Sequence, residues 1–345
     1  MPGDSHLPSF GCHKESFVLI FFGGSIHYRR LGRSGLKVSE ISLGSWVTFG
    51  AQVDEKLASD LIHAAYEAGV NFFDNADMYA DGQAEKMMGA AIQDLPRQAL
   101  VISSKVFWPT MPGPNGRGLS RKHIFESVHA SLERLGTDYL DLYFCHRFDP
   151  DTPVDEVVRA MDDLVHQGKV LYWGTSEWRA WQISSAFCVA NNYHLVAPMM
   201  EQPQYNMFHR ERVEAELAPL CKDLGIGLTT WSPLFFGILT GKYNEGIPEG
   251  TRASLSDYGW IRDRITPERI ATVRKLIEVA RDLGLTTAQL AIAWILRRKE
   301  ISSVITGATR LEQLKENLLA AEAEEKLTDE VLERIEQILG NQPEE

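Results

Sequence analysis

Apolar runs and amphipathic stretches alternate along the chain from Tyr28 onward. Short apolar runs predict strands, and the stretches between them, with apolar residues three and four positions apart, predict helices. Strands are predicted at 40–45, 70–74, 100–105, 139–146, 170–175, 198–202, 226–231 and 303–306, and helices at 55–68, 121–135, 154–167, 210–224, 267–283 and 311–319. The eight strand predictions, with no linker rich in proline or serine, indicate an α/β fold, a (β/α)8 TIM barrel with extra C-terminal helices.

The first 26 residues follow a different pattern from the rest of the chain. They show no period and contain one apolar burst, at 17–22. This burst is shorter than the ~7 to 15 apolar residues of a signal-peptide core, and no clear small-residue cleavage site follows a basic start. We therefore predict that residues 1–26 form a disordered extension and that residues 27–345 form a single barrel domain.

Composition and charge narrow the possible partners. Hydrophobic residues at 44% and charged residues at 24% are typical of a soluble globular protein. The net charge of −12 argues against a nucleic-acid partner, and no apolar run approaches the ~20 residues that a membrane helix needs. Cysteines at positions 12, 145, 188 and 221 lack the spacing of a zinc site or a disulfide framework, which predicts reduced thiols and a cytoplasmic location.

Polar residues with complementary chemistry fall at the ends of successive predicted strands. Asp74 ends the second strand, Tyr79 lies in the loop after it, and Lys105 and His146 end the third and fourth strands, with Gln202 at the end of the sixth. Each has a structural alternative: a helix cap, a packed phenol, a solvated strand end or a rim histidine. Because barrels carry their chemistry at the C-terminal ends of strands, we expect these side chains to meet at one mouth.

This set of side chains favours carbonyl reduction. The ammonium of Lys105 is expected to stabilise the phenolate of Tyr79 and lower its pKa from a reference value of ~10. Asp74 would hold the ammonium, and His146 could donate a hydrogen bond to a substrate carbonyl as hydride arrives. No HxH follows the first strand and no HExxH occurs anywhere, so the sequence predicts no metal site.

The hydride needs a cofactor, although the chain contains no GxGxxG that opens a βαβ unit and no GxxxxGK. The last predicted strand runs instead into GATR at 307–310 and the helix 311–319. A helix N-terminus at this position is where barrels bind phosphate. The loop after the seventh strand, WSPLFFGILTGKY at 231–243, is rich in glycine and carries a lysine, so it could lie over a dinucleotide.

These residues resemble the aldo-keto reductases, and within them the branch of the voltage-gated potassium channel β-subunits and its bacterial relatives. The resemblance covers residues 28–342 and rests on YRRLG at 28–32, NFFD at 71–74, GLSRK at 118–122, YWGTS at 172–176, TWSPL at 230–234 and the stretch 313–317. It places the catalytic tetrad of the family on Asp74, Tyr79, Lys105 and His146.

The resemblance also implies NADP(H) as the cofactor. Lys242 and Arg252 would meet its 2′-phosphate. Trp46, Trp108, Phe235 and Phe236 suggest an aromatic, fairly unselective substrate pocket, and His146 is also predicted to contact the substrate. The residues implied to contact NADP(H) are Ser45, Trp46, Gln52, Asp74, Ser176, Gln202, Trp231, Ser232, Pro233, Leu234, Lys242, Arg252, Gly307, Thr309, Gln313, Glu316 and Asn317.

The chain departs from the animal channel subunits at three places. Those subunits carry Asn at the position of His146, Ser-Arg at 176–177 and Ala-Cys at 235–236, where this chain has Ser-Glu and Phe-Phe. His146 completes a reductase tetrad, which favours reduction of a small aldehyde or ketone over a non-catalytic NADP-sensing subunit of a membrane channel. The resemblance further implies a homo-oligomer, with a tetramer as the expected form, and the residues at 1–26 do not favour a channel partner.

Overall fold

The computed structural model describes residues 26–50, 52–255 and 258–343. The predicted N-terminal extension therefore lies outside the described residues, apart from Ile26, which packs partly buried against the core. The prediction of a disordered segment stays a prediction.

Eight parallel strands close into a barrel within the described part of the chain, which confirms the predicted (β/α)8 architecture. The first and last of them close the ring, where Ile41 pairs with Val304 and Leu43 with Thr306. The barrel strands are β3 (Ile41–Gly44), β4 (Phe72–Asp74), β5 (Val101–Val106), β6 (Leu140–Cys145), β7 (Val170–Ser176), β8 (Met200–Gln202), β9 (Gly227–Thr230) and β10 (Ile301–Thr306).

A short hairpin precedes the barrel and fills its N-terminal end. It consists of β1 (Tyr28–Arg30) and β2 (Lys37–Ser39), paired antiparallel. Leu31 and Val38 are fully buried and pack against barrel-interior side chains such as Phe72. Because this end is filled by apolar side chains, a ligand has to enter from the opposite end, where the strands have their C-termini.

Helices surround the barrel and cover its strands. Side-chain caps begin several of them: Asp54 accepts from the amide of Leu57, and Thr286 and Gln289 form a capping box. The helices are α1 (Glu55–Glu67), α2 (Gln83–Ala91), α3 (Arg121–Leu135), α4 (Val154–His166), α5 (Ala180–Tyr193), α6 (Ala218–Leu224), α7 (Gly259–Arg262), α8 (Pro267–Asp282), α9 (Thr287–Leu296), α10 (Leu311–Leu318) and α11 (Asp329–Leu339), the last being a C-terminal addition to the barrel.

The predicted strands all occur, each with ends within two residues of the prediction. One predicted helix, 210–224, is divided into a π-helical segment, Arg212–Leu217, and α6, and Pro219 lies near the junction. Proline cannot donate the amide hydrogen bond of a continuous helix, which accounts for the irregularity.

Candidate active site

A cavity of about 760 Å³ opens at the C-terminal ends of the barrel strands. Asp74, Tyr79 and His146 lie in its wall, together with the predicted substrate residues Trp46 and Trp108. Its volume is in the range of sites that hold a cofactor or a drug-sized ligand.

Lys105 connects the members of the predicted tetrad from beneath the cavity floor. The side chain is fully buried in β5, and its Nζ donates to Asp74 Oδ2 at 2.7 Å, to the Asn75 carbonyl at 2.7 Å and to the Tyr79 hydroxyl at 3.1 Å. An ammonium has three donors, so these bonds use all of them. The Tyr79 oxygen therefore acts as an acceptor from Lys105, and its own proton remains available to another group.

Asp74 is held by hydrogen bonds on both carboxylate oxygens. Oδ2 accepts from Lys105, while Oδ1 accepts from Ser103 Oγ at 2.8 Å and from Gln202 Nε2 at 2.9 Å. A buried carboxylate needs this degree of pairing to stay charged. Gln202, predicted as a cofactor contact, therefore also fixes the orientation of Asp74.

The charge on Lys105 is maintained by its partners. Burial opposes the charged form, but attraction by Asp74 and Tyr79 and the hydrogen bonds to them outweigh burial, so the pKa of Lys105 is raised. Lys105 is thus a permanent cation beside the phenol at neutral pH.

Tyr79 begins a tight turn directly above this cation. Ala80 and Asp81, the next two residues, have positive φ angles of 48° and 52°, a conformation that costs energy for residues with a side chain and that clusters at functional sites. The turn brings the Tyr79 ring over Lys105, with Nζ 4.7 Å from the ring centroid.

The expected lowering of the Tyr79 pKa is wrong for this structure. Burial raises the pKa of Tyr79, and the opposing effect of Lys105 is too small to reverse it. The charge of Lys105 is visible in the sequence, whereas the desolvation of a phenol with only 8% of its surface exposed is not. Tyr79 is accordingly a protonated phenol at neutral pH, and Lys105 is placed to stabilise the phenolate that forms when the proton leaves.

His146 directly follows β6 and lies between two aromatic rings. Its centroid is 5.9 Å from that of Tyr79 and 6.3 Å from that of Trp108. Burial, followed by repulsion from Lys105 and Arg147, holds the pKa of His146 well below its usual value. His146 is therefore neutral, and one of its ring nitrogens can donate a hydrogen bond into the cavity.

A second group of aromatic side chains lies in and behind the cavity wall. Trp46 packs edge-on against Trp231 at 5.6 Å and against Phe236 at 6.2 Å, and Phe236 in turn packs against Trp260 at 4.8 Å. Phe236 lines the cavity, whereas the neighbouring Phe235 is buried outside the lining. The Phe-Phe pair therefore contributes one of its two rings to the site.

Three cations lie close together in one part of the cavity wall, here called its cationic end. Lys242 and Arg252, the predicted 2′-phosphate contacts, line it together with Arg310, which the sequence reasoning did not single out. Partial burial and repulsion from Arg252 and Arg310 lower the pKa of Lys242 to about 8. Among the described residues, no carboxylate forms an ion pair with any of the three, an arrangement that favours an anionic ligand.

Most of the other predicted cofactor residues also border the cavity. Ser45 does not: it is buried, and its hydroxyl donates to the Asp74 carbonyl at 3.1 Å. Thr309 donates from its amide and from its hydroxyl to Gln313 Oε1, at 2.9 and 3.0 Å. The predicted residues in the lining are Trp46, Gln52, Asp74, Ser176, Gln202, Trp231, Ser232, Pro233, Leu234, Lys242, Arg252, Gly307, Thr309, Gln313, Glu316 and Asn317.

Glu177, which replaces an Arg of the animal channel subunits, is occupied by other partners. Its carboxylate accepts hydrogen bonds from Arg212, from the Trp231 indole at 2.9 Å and from the Gln204 amide at 2.6 Å. Glu177 is not part of the cavity lining. It therefore anchors Trp231 rather than adding a negative charge to the cavity wall.

The structure also bears on metals and membranes. Across residues 26–50, 52–255 and 258–343, no group of three or more His, Cys, Asp and Glu side chains is arranged to hold a metal ion. None of the helices in these ranges is both long and apolar enough to span a bilayer.

Comparison with known proteins identifies the family. Residues 40–340 match the model of the aldo/keto reductase family. The chain belongs to the aldo/keto reductase family. Among its relatives are proteins named probable voltage-gated potassium channel subunit beta, from Arabidopsis thaliana, 51% identical, and from Oryza sativa subsp. japonica, 50% identical. Each match covers 92% of this chain and 98% of the relative, which confirms the resemblance to the channel β-subunit branch.

Among the lining residues that the sequence did not predict are two arginines. Arg147 lines the cavity beside His146, and Arg310 lies at its cationic end. The position of each residue in the chain indicates the site, since Arg147 follows the end of β6 and Arg310 immediately precedes α10. The sequence alone does not single out either residue, because an arginine on a loop is usually ordinary surface charge.

Proposed function

We propose that this aldo/keto reductase reduces aldehydes or ketones to alcohols with NADPH, and that Tyr79 is the proton donor. The observation that carries the proposal is the hydrogen-bond pattern around Lys105. Its three donors are used by Asp74, Asn75 and Tyr79, so the phenolic proton is free to be given to a ligand in the cavity. A buried Tyr–Lys–Asp chain beside a neutral histidine matches what protonation of a carbonyl oxygen requires.

The cavity residues fit the proposed cofactor. Lys242, Arg252 and Arg310 supply cations for a phosphomonoester, and Trp231 and Phe236 supply flat apolar surface in the cavity wall. When bound, NADPH would supply the hydride that adds to the carbonyl carbon.

The chain's own residues would handle the proton and the developing charge. Tyr79 gives its proton to the carbonyl oxygen, which becomes the hydroxyl of the product. Lys105 stabilises the resulting phenolate, and Asp74 keeps Lys105 in place. His146, being neutral, donates a hydrogen bond to the same oxygen and stabilises negative charge as it forms.

Tyr79→Phe tests the proposal because it removes the proton donor and leaves the ring. A general acid contributes about 10² to 10⁴ in rate, so we expect a loss of at least ~100-fold in kcat for an aldehyde panel followed by NADPH absorbance, with NADPH still bound. The matched control is Tyr143→Phe, since Tyr143 is buried outside the cavity and its hydroxyl makes a 3.5 Å bond to the Ile124 carbonyl. Turnover of Tyr79→Phe within tenfold of wild type would refute the role.

A second candidate function is supported by the names of the relatives. Both proteins described above are named as potassium channel β subunits, so this chain could be an NADP-sensing subunit with little or no turnover. His146 favours the enzyme. NADPH binding with no turnover of any aldehyde or ketone would favour the subunit instead. The homo-oligomeric state, expected to be a tetramer, and the cytoplasmic location also remain predictions.

A further inference from the structure

One charged side chain stands at the substrate end of the cavity without a role in the mechanism above. Arg147 lines the cavity next to His146 and is half-buried. One of its terminal nitrogens donates to the His146 carbonyl at 2.5 Å, and its guanidinium carbon lies 5.6 Å from the centroid of Trp108. Arg147 is thus fixed beside the tetrad, away from the cationic cluster of Lys242, Arg252 and Arg310.

Arg147 has no carboxylate partner among the described residues. Glu177 attracts it from a distance, but Glu177 is already bound by Arg212, Trp231 and Gln204. Burial lowers the pKa of Arg147, and the attraction of Glu177, Tyr79 and Glu201 offsets it only in part. A guanidinium with an ordinary pKa above ~12 nevertheless remains charged at neutral pH. A desolvated cation that faces a cavity is stabilised when an anion enters.

The chemistry of Arg147 suits one kind of anion in particular. A guanidinium has five N–H donors in a rigid plane, and the bond to the His146 carbonyl leaves several of them available for the two oxygens of a carboxylate. A single cation balances the one charge of a carboxylate, whereas a phosphomonoester carries close to two. Trp108 provides a flat apolar wall beside Arg147, and Trp46 also lines the cavity.

We propose, on the basis of the function proposed above, that the substrates are aldehydes or ketones that carry a carboxylate, and that Arg147 binds this carboxylate. The carbonyl oxygen then lies at Tyr79 and His146, and the body of the substrate packs against Trp108. Arg147 is in this view a specificity-determining residue and takes no part in proton transfer.

The test compares 4-carboxybenzaldehyde with 4-formylbenzamide, which has nearly the same shape and no charge. A charge-assisted hydrogen-bond pair contributes enough to change affinity by about 10- to 100-fold. We therefore expect KM for the carboxylate to be lower than for the amide by at least about tenfold in wild type, and Arg147→Gln to remove most of this difference. Arg147→Lys should restore part of it, because it keeps the charge and loses the planar fork.

Arg117→Gln is the matched control. The Arg117 guanidinium lies 5.8 Å from the same Trp108 ring, but the side chain is exposed and does not line the cavity. Its removal should leave the preference for the carboxylate unchanged, which separates direct binding from the general field of a nearby cation. Loss of NADPH affinity or of the melting transition in Arg147→Gln would indicate a folding defect. In that case the carboxylate and the amide are compared in Arg147→Lys and wild type instead.

A binding measurement keeps this proposal separate from the reductase proposal. Benzoate and benzamide are titrated against the NADPH complex, with the quenching of tryptophan fluorescence as the readout, so no turnover is needed. Stronger binding of benzoate, lost in Arg147→Gln, supports the anion site even if neither aldehyde is reduced, in which case the reductase proposal alone fails. Equal binding of the two ligands to wild type, or unchanged benzoate binding to Arg147→Gln, would overturn the assignment.

Discussion

Lys242→Met should weaken binding of NADPH and leave binding of NADH almost unchanged. The Lys242 ammonium lies with Arg252 and Arg310 at one end of the cavity, and NADH lacks the phosphomonoester that these cations would bind. One charge-assisted hydrogen bond is worth about 1.5 to 3 kcal/mol, which corresponds to a loss of roughly 10- to 150-fold in NADPH affinity. The affinity for NADH should change by no more than about threefold, because Lys242 acts on NADH only through long-range electrostatic attraction, which is screened.

The same lysine should make NADPH affinity depend on pH. The pKa of Lys242 in the free protein is about 8, and a bound phosphate would raise it, so binding is favoured by the protonated lysine. Affinity should hold steady from pH 7 to 8 and fall above pH 8, where the free lysine loses its charge. One pH unit would give a tenfold change for a fully coupled group. Part of the Lys242 side chain stays accessible to solvent, and screening reduces the change to less than about tenfold.

Fluorescence titration of NADPH and NADH between pH 7 and 9.5, with wild type and Lys242→Met, measures both effects. The variant should show a flat profile for NADPH over this range. Lys315→Met on α10 is a suitable control, because Lys315 is exposed and lies outside the cavity lining. Equal dissociation constants for the two nucleotides in wild type, or the same decline above pH 8 in the Lys242 variant, would refute the reasoning.

Two predictions concern the tetrad. Lys105→Met should lower kcat strongly and shift the alkaline limb of the pH–rate profile upward, because the Tyr79 phenolate loses the cation that stabilises it; an unchanged profile would contradict this. His146→Asn should retain more kcat than His146→Ala, which loses the hydrogen-bond donor and about 10² to 10³ in rate, whereas NADPH affinity and melting temperature should change little. Equal turnover by His146→Ala and wild type would contradict the role of His146.

The barrel strands could be predicted from the sequence because each is a short apolar run between polar turns. Once the strands are placed, the candidate catalytic residues can be predicted as well, because a (β/α)8 barrel carries its catalytic residues at the C-terminal ends of its strands. For this reason the sequence alone predicts Asp74, Lys105 and His146. Helix α9 is harder to predict from the sequence. Its residues, such as Ala291, Ile292 and Trp294, are buried around the whole helix, so no alternation of polar and apolar faces indicates a helical period.

The rest of the site depends on features that no local pattern contains. The balance between burial and the charge of Lys105 sets the pKa of Tyr79, and burial is a property of the folded chain. Arg310, just before α10, comes together with Lys242 and Arg252, in the loop after β9, only in the folded chain. Arg147 is significant because it lacks an acidic partner among the described residues, and such a lack cannot be read from the sequence around it.

The seam between β3 and β10 has a consequence for the order of folding. It joins Ile41 to Val304, so the ring cannot close until almost the whole chain has left the ribosome. Contacts between such distant segments form slowly because of the entropy of closing a long loop. Strand β10 is directly followed by Gly307, Thr309 and Arg310, so the cationic end of the cavity forms last. We therefore expect a bound dinucleotide to stabilise the contact between the two ends of the barrel and so to oppose unfolding.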